Sequence, residues 1–265
     1  MRISIITINF NDKQGLERTI NSTICQTYEN KEYIIIDGAS NDGSLEILHE
    51  YSNYITKWVS EPDTGVYNAM NKGIRLATGD YCIFMNAGDV FYDPKTLQKA
   101  HYYLETHKDI YNGNAIYLKD GRIMWYRKCH KDTSIRHFFH SSICHQATFI
   151  KTSLLKNYMY DETLRMVSDW KFWLQAICID HATYEAINTD VCCFDMGGLT
   201  YKQKDLGERE RDVVIKSLFS ESEIISIKKQ AGKRSNLKYI FEGTQKRFWL
   251  YYARLFKIAQ VRNVI

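Results

Sequence analysis

Two prolines and 14 glycines in 265 residues leave no room for a proline-rich linker, a collagen-like repeat or a glycine tether. No apolar run approaches the roughly 18–20 residues that a membrane-spanning helix needs. The start, MRISIITINFND, has neither the basic opening nor the small-residue cleavage site of a secretory signal, so a cytoplasmic location is expected. Seven cysteines lie at scattered positions with one adjacent pair, Cys192 and Cys193, and no CxxC. That spacing argues against a disulfide framework or a zinc site, and reduced thiols are expected. GxGxxG is missing too, which removes the phosphate cradle of dinucleotide-binding proteins.

What is present is ordinary for a folded enzyme-sized chain, with 45% apolar and 25% charged residues. The net charge of +4 is unevenly placed. Residues 201–265 hold 15 Lys and Arg against 7 Asp and Glu, while residues 1–200 hold 20 against 24. A basic tail thus follows a mildly acidic body.

The first hundred residues alternate apolar β-branched runs with helical patterns. Ile3 to Ile8 predict a strand, and Leu16, Ile20 and Ile24 one face of a helix. Tyr33 to Ile36 predict a second strand, followed by a helix through Leu45, Ile47, Leu48 and Tyr51. Ile55 to Val59, a helix from about Val66 to Ala77 and the strand Tyr81 to Met85 complete the series. Such alternation implies a doubly wound, mainly parallel sheet with ligands at the carboxyl ends of its strands. Beyond residue 110 shorter strands are expected at 110–111, 115–118, 122–126 and 147–150, then helices at 166–177, 203–230 and 237–262, so this half reads as mixed.

Two acidic clusters end strands. Asp37 and Asp42 lie in IIIDGASNDGS, where a carboxylate can accept from base or ribose donors, or form an Asx turn and helix cap. Asn86-Ala87-Gly88-Asp89 follows YCIFM, which sets Asp89 beside Asp37, where an acid suits a hard divalent cation bridging phosphates; a plain turn has the same composition.

Taken together, ISIITINFN, IIIDGASNDGS, SEPDTGVYNAMNKGIRLATGDYCIFMNAGD and MVSDWKFW resemble the family 2 glycosyltransferases, of the type found in bacterial exopolysaccharide and lipopolysaccharide gene clusters, and the colanic-acid-type subgroup in particular. The resemblance covers about residues 1–200. It implies an α/β GT-A fold, inverting transfer from a nucleotide-diphosphate sugar, and Mg²⁺ or Mn²⁺. Carried over by position, Ile8 and Phe10 would hold the base, Asp37 the base or ribose, and Asp89 the metal. Glu61 and Asp63 would shape the donor pocket. Asn68, Asn71 and Lys72 would meet ribose or diphosphate, although a solvated helix face explains them as well, and Asn86 would line the donor site. Where the family usually has a DxD, this chain has Asn86 and Gly88, with Asp89 the only acid of the tetrapeptide. Asp169 would be the base, in keeping with the single carboxylate an inverting transfer needs. His145 and Gln146 would stand on the acceptor side, and Gly197-Gly198 in a loop closing the site.

The family's processive members carry QxxRW, which is absent here, so one sugar per encounter is expected. The resemblance divides the chain into a domain at 1–200, with donor half 1–100 and acceptor half 101–200, and a helical basic extension at 201–265. Basic and aromatic residues interleave at 246–262. Such a helix would lie on an anionic membrane surface, suiting a polyprenyl-diphosphate-linked or glycan acceptor, or pack on the protein or in a homodimer. Nucleic acid is not an expected partner. A nucleotidyltransferase would ordinarily have a glycine-rich basic loop after the first strand, which NFNDKQG is not. A degenerate protein of the same fold that binds nucleotide sugar or glycan without turnover is the second reading.

Overall fold

In ISIITIN, Ile3 and Ile5 pack on one sheet face and Ile6 and Ile8 on the other, and the segment forms strand β1 (Ile3–Asn9), buried along nearly its whole length. β2 (Lys31–Asp37), β3 (Lys57–Ser60) and β4 (Tyr81–Phe84) join it in parallel, in the order β3-β2-β1-β4. Helices α1 (Lys13–Ile24) and α2 (Ser44–Glu50) bury Leu16, Ile20, Ile47 and Leu48 against Ile3, Ile5 and Ile35. α3 (Val66–Leu76) buries Tyr67, Met70 and Ile74 against Ile6, Ile34 and Ile36 on the opposite face. The half is therefore doubly wound, in a computed structural model that describes residues 1–119, 121–197 and 204–231. Gly73 lets α3 settle this closely, because a Cβ there would sit 2.4 Å from Ile6 Cγ2.

Glu32 fastens the amino-terminal edges of these strands. Its buried carboxylate accepts from Ser4 Oγ (2.5 Å), Thr78 N (2.5 Å), Thr78 Oγ1 (2.8 Å) and Gly79 N (2.8 Å), joining β1, β2 and the turn before β4. Burial alone would raise its pKa, but these donors outweigh it and hold the carboxyl below the ordinary glutamate value. Glu32→Gln places an amide N–H₂ among these donors and is expected to cost about 2–4 kcal/mol by denaturant unfolding near neutral pH. Because the folded pKa is depressed, this stabilisation is present above about pH 4.5 and is lost as pH falls through the folded value.

Past β4 the sheet turns mixed. β5 (Val90–Phe91), β6 (Ile110–Lys119), β7 (Arg122–Arg127), β8 (Thr148–Lys151) and β9 (Tyr184–Asp195) extend it to nine strands among the described residues, with the path continuing β4-β8-β6-β9-β5 and β7 paired to β6. β8 runs antiparallel to β4 and β6, whereas β9 runs parallel to β6. The strands expected at 110–111 and 115–118 are one element. Asn112 and Asn114, polar enough to suggest a break, are buried and satisfied: Asn112 donates to Thr148 Oγ1 (2.8 Å) and Asn114 to Asp190 Oδ1 (2.9 Å). β3 lies slightly later than the expected 55–59 because residues 52–54 form a turn of 3₁₀ helix.

Helices α4 (Thr96–Leu104), α5 (Ile135–His140) and α6 (Thr152–Tyr158) cover the second half. The helix expected at 166–177 is α7 (Ser168–Trp173), widening into a π-helical segment at Leu174–Ile179. The charged stretch 203–230 forms α8 (Lys204–Leu218) and α9 (Glu221–Ala231). Glu210 of α8 accepts from the backbone N–H groups of Arg165 and Met166, both at 2.8 Å, and so anchors α8 to the loop before α7. All seven cysteines are free thiols, and among the described residues no helix is long and apolar enough to cross a membrane. The helix expected at 237–262, with the basic aromatic stretch 246–262, lies outside the described residues.

Candidate active site

The carboxyl ends of β1 to β4 open on one crevice, and its floor is a buried polar knot. Asp37, closing β2, accepts four hydrogen bonds: Asn9 Nδ2 (2.8 Å) and Ser40 Oγ (2.6 Å) on Oδ1, Ser40 N (3.0 Å) and Ser60 Oγ (2.6 Å) on Oδ2. Asp37 has no solvent-exposed surface and locks the ends of β1, β2 and β3 together. Ile8 is equally engaged through its carbonyl, which accepts the Ala87 N–H at 3.0 Å.

Above the floor is a small cradle. Phe10 leaves its ring 66% exposed beside Gly38, and Asp63 closes the other side. A Cβ built on Gly38 would lie 2.5 Å from Asp63 Oδ2 and 3.1 Å from Phe10 Cδ2. Asp63 is itself steadied by the Gly65 N–H at 3.0 Å. A flat exposed ring facing a carboxylate across a bare backbone suits a planar heterocycle that carries N–H donors. Gly38→Ala is expected to push the Asp63 carboxylate aside with little cost to the fold, and to weaken binding of a planar heterocycle in the cradle by roughly tenfold, about 1.4 kcal/mol; titration calorimetry reads the change.

Asn86 and Asp89 lie in the turn after β4. Asp89 is 3% exposed, its Oδ1 accepting the Asp195 N–H (2.9 Å) and its Oδ2 the Gln146 amide (3.1 Å). Burial pushes its carboxyl up to about 8, since these two donors and nearby His145 offset only part of the desolvation. Asn86 has a buried Oδ1 without a hydrogen-bond partner, while its Nδ2 faces His145 Nε2 at 3.4 Å. The turn thus offers a divalent cation two hard oxygens, and no group of three or more His, Cys, Asp or Glu side chains is placed to hold one among the described residues. This donor set fits an Mg²⁺ or Mn²⁺ that brings its other ligands as water and diphosphate oxygens.

Asp169 stands in the first turn of α7, its carboxylate held from both sides. Tyr67 Oη donates to Oδ1 at 3.1 Å, and His145 Nδ1 lies 3.1 Å from Oδ2. Burial would raise the Asp169 pKa, but the hydrogen bond and charge of His145 outweigh it and keep the carboxyl below the usual aspartate value. Reciprocally, burial would lower the His145 pKa, and the Asp169 carboxylate raises it above the ordinary histidine value. The His145-Gln146 dipeptide therefore joins two clusters. His145 touches Asp169 and Asn86, and Gln146 touches Asp89.

The remaining expected residues are placed differently. Asn71 is buried, with Nδ2 donating to Tyr160 O (2.8 Å) and Glu162 Oε1 (2.7 Å) and Oδ1 accepting from Tyr160 N (2.8 Å), so both ends of its amide tie α3 to the 160–162 loop. Asn68 donates to Glu162, and Lys72 pairs with Glu61 at 2.9 Å. Gly197 follows β9, its N–H donating to Asp195 Oδ1 at 2.9 Å; Gly198 lies outside the described residues. Sequence reasoning missed Tyr67 and Asp195. Asp195 closes β9 and pairs with Arg18 at 3.7 Å, so the rule that singled out Asp37 and Asp89, an acid at the carboxyl end of a strand, would have found it had β9 been recognised.

The family model "Glycosyl transferase family 2" matches residues 4–168. An uncharacterized glycosyltransferase of Mycobacterium tuberculosis is 42% identical over 99 residues, 37% of this chain and 38% of the relative. A PGL/p-HBAD biosynthesis glycosyltransferase of the same species is 30% identical over 175 residues, 64% of this chain and 67% of the relative. Among solved structures, Staphylococcus aureus TarS 1–349 in complex with UDP-GlcNAc superposes with a TM-score of 0.63 at 18% identity, covering 86% of this chain and 70% of that one. A mannosyltransferase from Pyrobaculum calidifontis in complex with GDP-Man and Mn²⁺ gives 0.57 at 16% identity, covering 76% and 58%. These likenesses establish an α/β fold of the GT-A kind.

Proposed function

Since the chain belongs to glycosyl transferase family 2, we propose that it transfers one sugar, with inversion, from a nucleotide-diphosphate donor to a hydroxyl of a glycan or lipid-linked glycan. The observation that carries the reading is the position of Asp169: an ionised carboxylate, braced by Tyr67 and His145, and linked through His145-Gln146 to the turn that carries Asn86 and Asp89. In this scheme the cradle of Phe10, Gly38 and Asp63 takes the base. The acceptor oxygen forms a bond to the anomeric carbon as the bond from that carbon to the diphosphate breaks, and its proton passes to Asp169. Attack from the face opposite the leaving group inverts the centre. His145 beside Asp169, through its hydrogen bond and charge, favours the ionised form of the base.

Asp89 and the Asn86 Oδ1 are the residues that would hold Mg²⁺ or Mn²⁺, and such an ion, when bound, neutralises charge on a departing diphosphate. TarS in complex with UDP-GlcNAc and the mannosyltransferase in complex with GDP-Man and Mn²⁺ support a nucleotide sugar and a divalent cation as the ligands to try first.

The test is thermal stability against UDP-, GDP-, CMP- and dTDP-sugars, with and without Mn²⁺, since a ligand of the folded state raises Tm by mass action. One nucleotide is expected to shift Tm more in the presence of Mn²⁺, and the product anomer, read by proton NMR, to be inverted. A retained anomer removes the mechanism. No shift with any nucleotide removes the donor assignment.

A further inference from the structure

The segments that carry Asp169 and His145 also supply the walls of a second cavity. It encloses about 750 Å³ between residues 139–142, residues 166–167 and helix α8. Val167 precedes Asp169 by two residues, which bounds their Cα separation at about 7 Å, and Ser142 precedes His145 by three. The helix forming the outer wall begins at Lys204, beyond the residues the family model matches, and Glu210 holds it to the loop before the base. This wall thus belongs to the part of the chain outside the shared family segment.

Its chemistry is mixed. Phe139 and Met166 give apolar surface, and Trp170 forms part of the lining with the Arg211 guanidinium 4.7 Å from its ring centre. Glu208 and Asp212 stand on the same helix, one on each side of Arg211 along the cavity. Arg127, also in the lining, donates to Tyr117 Oη (3.1 Å) and Ser141 Oγ (3.3 Å). Two carboxylates balance two guanidinium groups, so the site has no net charge to draw in a diphosphate. Carboxylates, a guanidinium and hydroxyls around an apolar patch match a ring that carries hydroxyls on its edge and C–H groups on its face.

We propose that this cavity is the acceptor site and that the group it takes is a neutral sugar, with Glu208, Arg211 and Asp212 of α8 setting which sugar is accepted. The assignment rests on the transferase reading above for its role but not for its binding chemistry, and the two are separated by experiment. Saturation-transfer NMR with a panel of methyl glycosides of glucose, galactose, mannose, rhamnose and N-acetylglucosamine, in the absence of nucleotide, reads the cavity alone. At least one glycoside is expected to bind the wild-type chain, and its Kd to rise at least tenfold in E208A/D212A, two exposed positions whose loss leaves the circular dichroism spectrum and the nucleotide-dependent Tm shift unchanged. Absence of glycoside binding to the wild type overturns the proposal whatever the nucleotides do, as does equal binding to the variant. Pyrophosphate displacing the bound glycoside, or binding where no glycoside does, overturns it in favour of a lipid-diphosphate site. A failed nucleotide shift with intact glycoside binding leaves the cavity in place and removes the transferase reading instead.

Discussion

Asp169→Asn is expected to lower kcat by about 10²–10⁴-fold while leaving the nucleotide-dependent Tm shift in place. The substitution keeps the shape, and the Tyr67 hydroxyl can still donate to the amide oxygen, but the group that receives the acceptor proton is gone. It also removes the anion that raises the His145 pKa. Burial is the largest influence on His145 and favours its neutral form; Asp169 alone contributes both a hydrogen bond and a charge against it. In the variant the imidazole therefore reverts toward neutrality, which NMR of its ring protons detects directly as a lowered pKa. In the wild type the depressed Asp169 pKa keeps the base ionised well below neutrality, so the acid limb of kcat/KM falls below the ordinary aspartate range rather than near pH 6 to 7. Full turnover in Asp169→Asn removes the base assignment. Tyr67→Phe leaves the carboxylate and His145 in place and is expected to cost far less, within about tenfold.

The sequence announces the donor half clearly and the acceptor half poorly, for a physical reason. β1, β2 and β4 are continuous apolar runs because both faces of a doubly wound sheet are covered, and such runs stand out against polar loops. β6 buries two asparagines that find partners on other strands, so their polarity reads as a break until the fold supplies Thr148 and Asp190. The same divide runs through the site. Phe10 and Asp63 are visible in the motifs, as is the acid at 169. What the motifs do not carry is the partner of each group: the four donors on Asp37, the Tyr160 and Glu162 contacts that hold Asn71, and the Tyr67 hydroxyl 102 residues away in sequence from Asp169. Spacing fixes where a residue falls on an element, whereas the packing of elements decides whether its polar atoms face a ligand or each other.

That distinction is sharpest at Asp89, where the expected metal ligand is a buried carboxyl with a pKa near 8. A folded-state value above the unfolded one, about 3.9, means that folding takes up a proton between these limits. Stability from this group is complete below about pH 4 and is lost as pH rises toward 8, by up to about 1.4 kcal/mol per pH unit. Glu32 acts with the opposite sign below about pH 4.5. His145 adds a decline of the same sign as Asp89 only above about pH 6.5, where its own unfolded value lies. His137, whose pKa burial drops to about 4, acts against Asp89 between that value and about pH 6.5, so the two nearly cancel in the wild type from pH 5 to 6.5. Asp89→Asn, which carries one oxygen and one donor as the protonated acid does, is expected to leave denaturant-derived stability rising with pH across that window, where the wild type is nearly flat. An unchanged slope in the variant would show that Asp89 is ionised throughout. If the carboxylate is also where the cation sits, binding must release the proton. The Tm shift from nucleotide with Mn²⁺ should then grow between pH 6 and pH 8 in the wild type and show no such growth in Asp89→Asn, which ties the buried acid to the metal by a readout that needs no turnover.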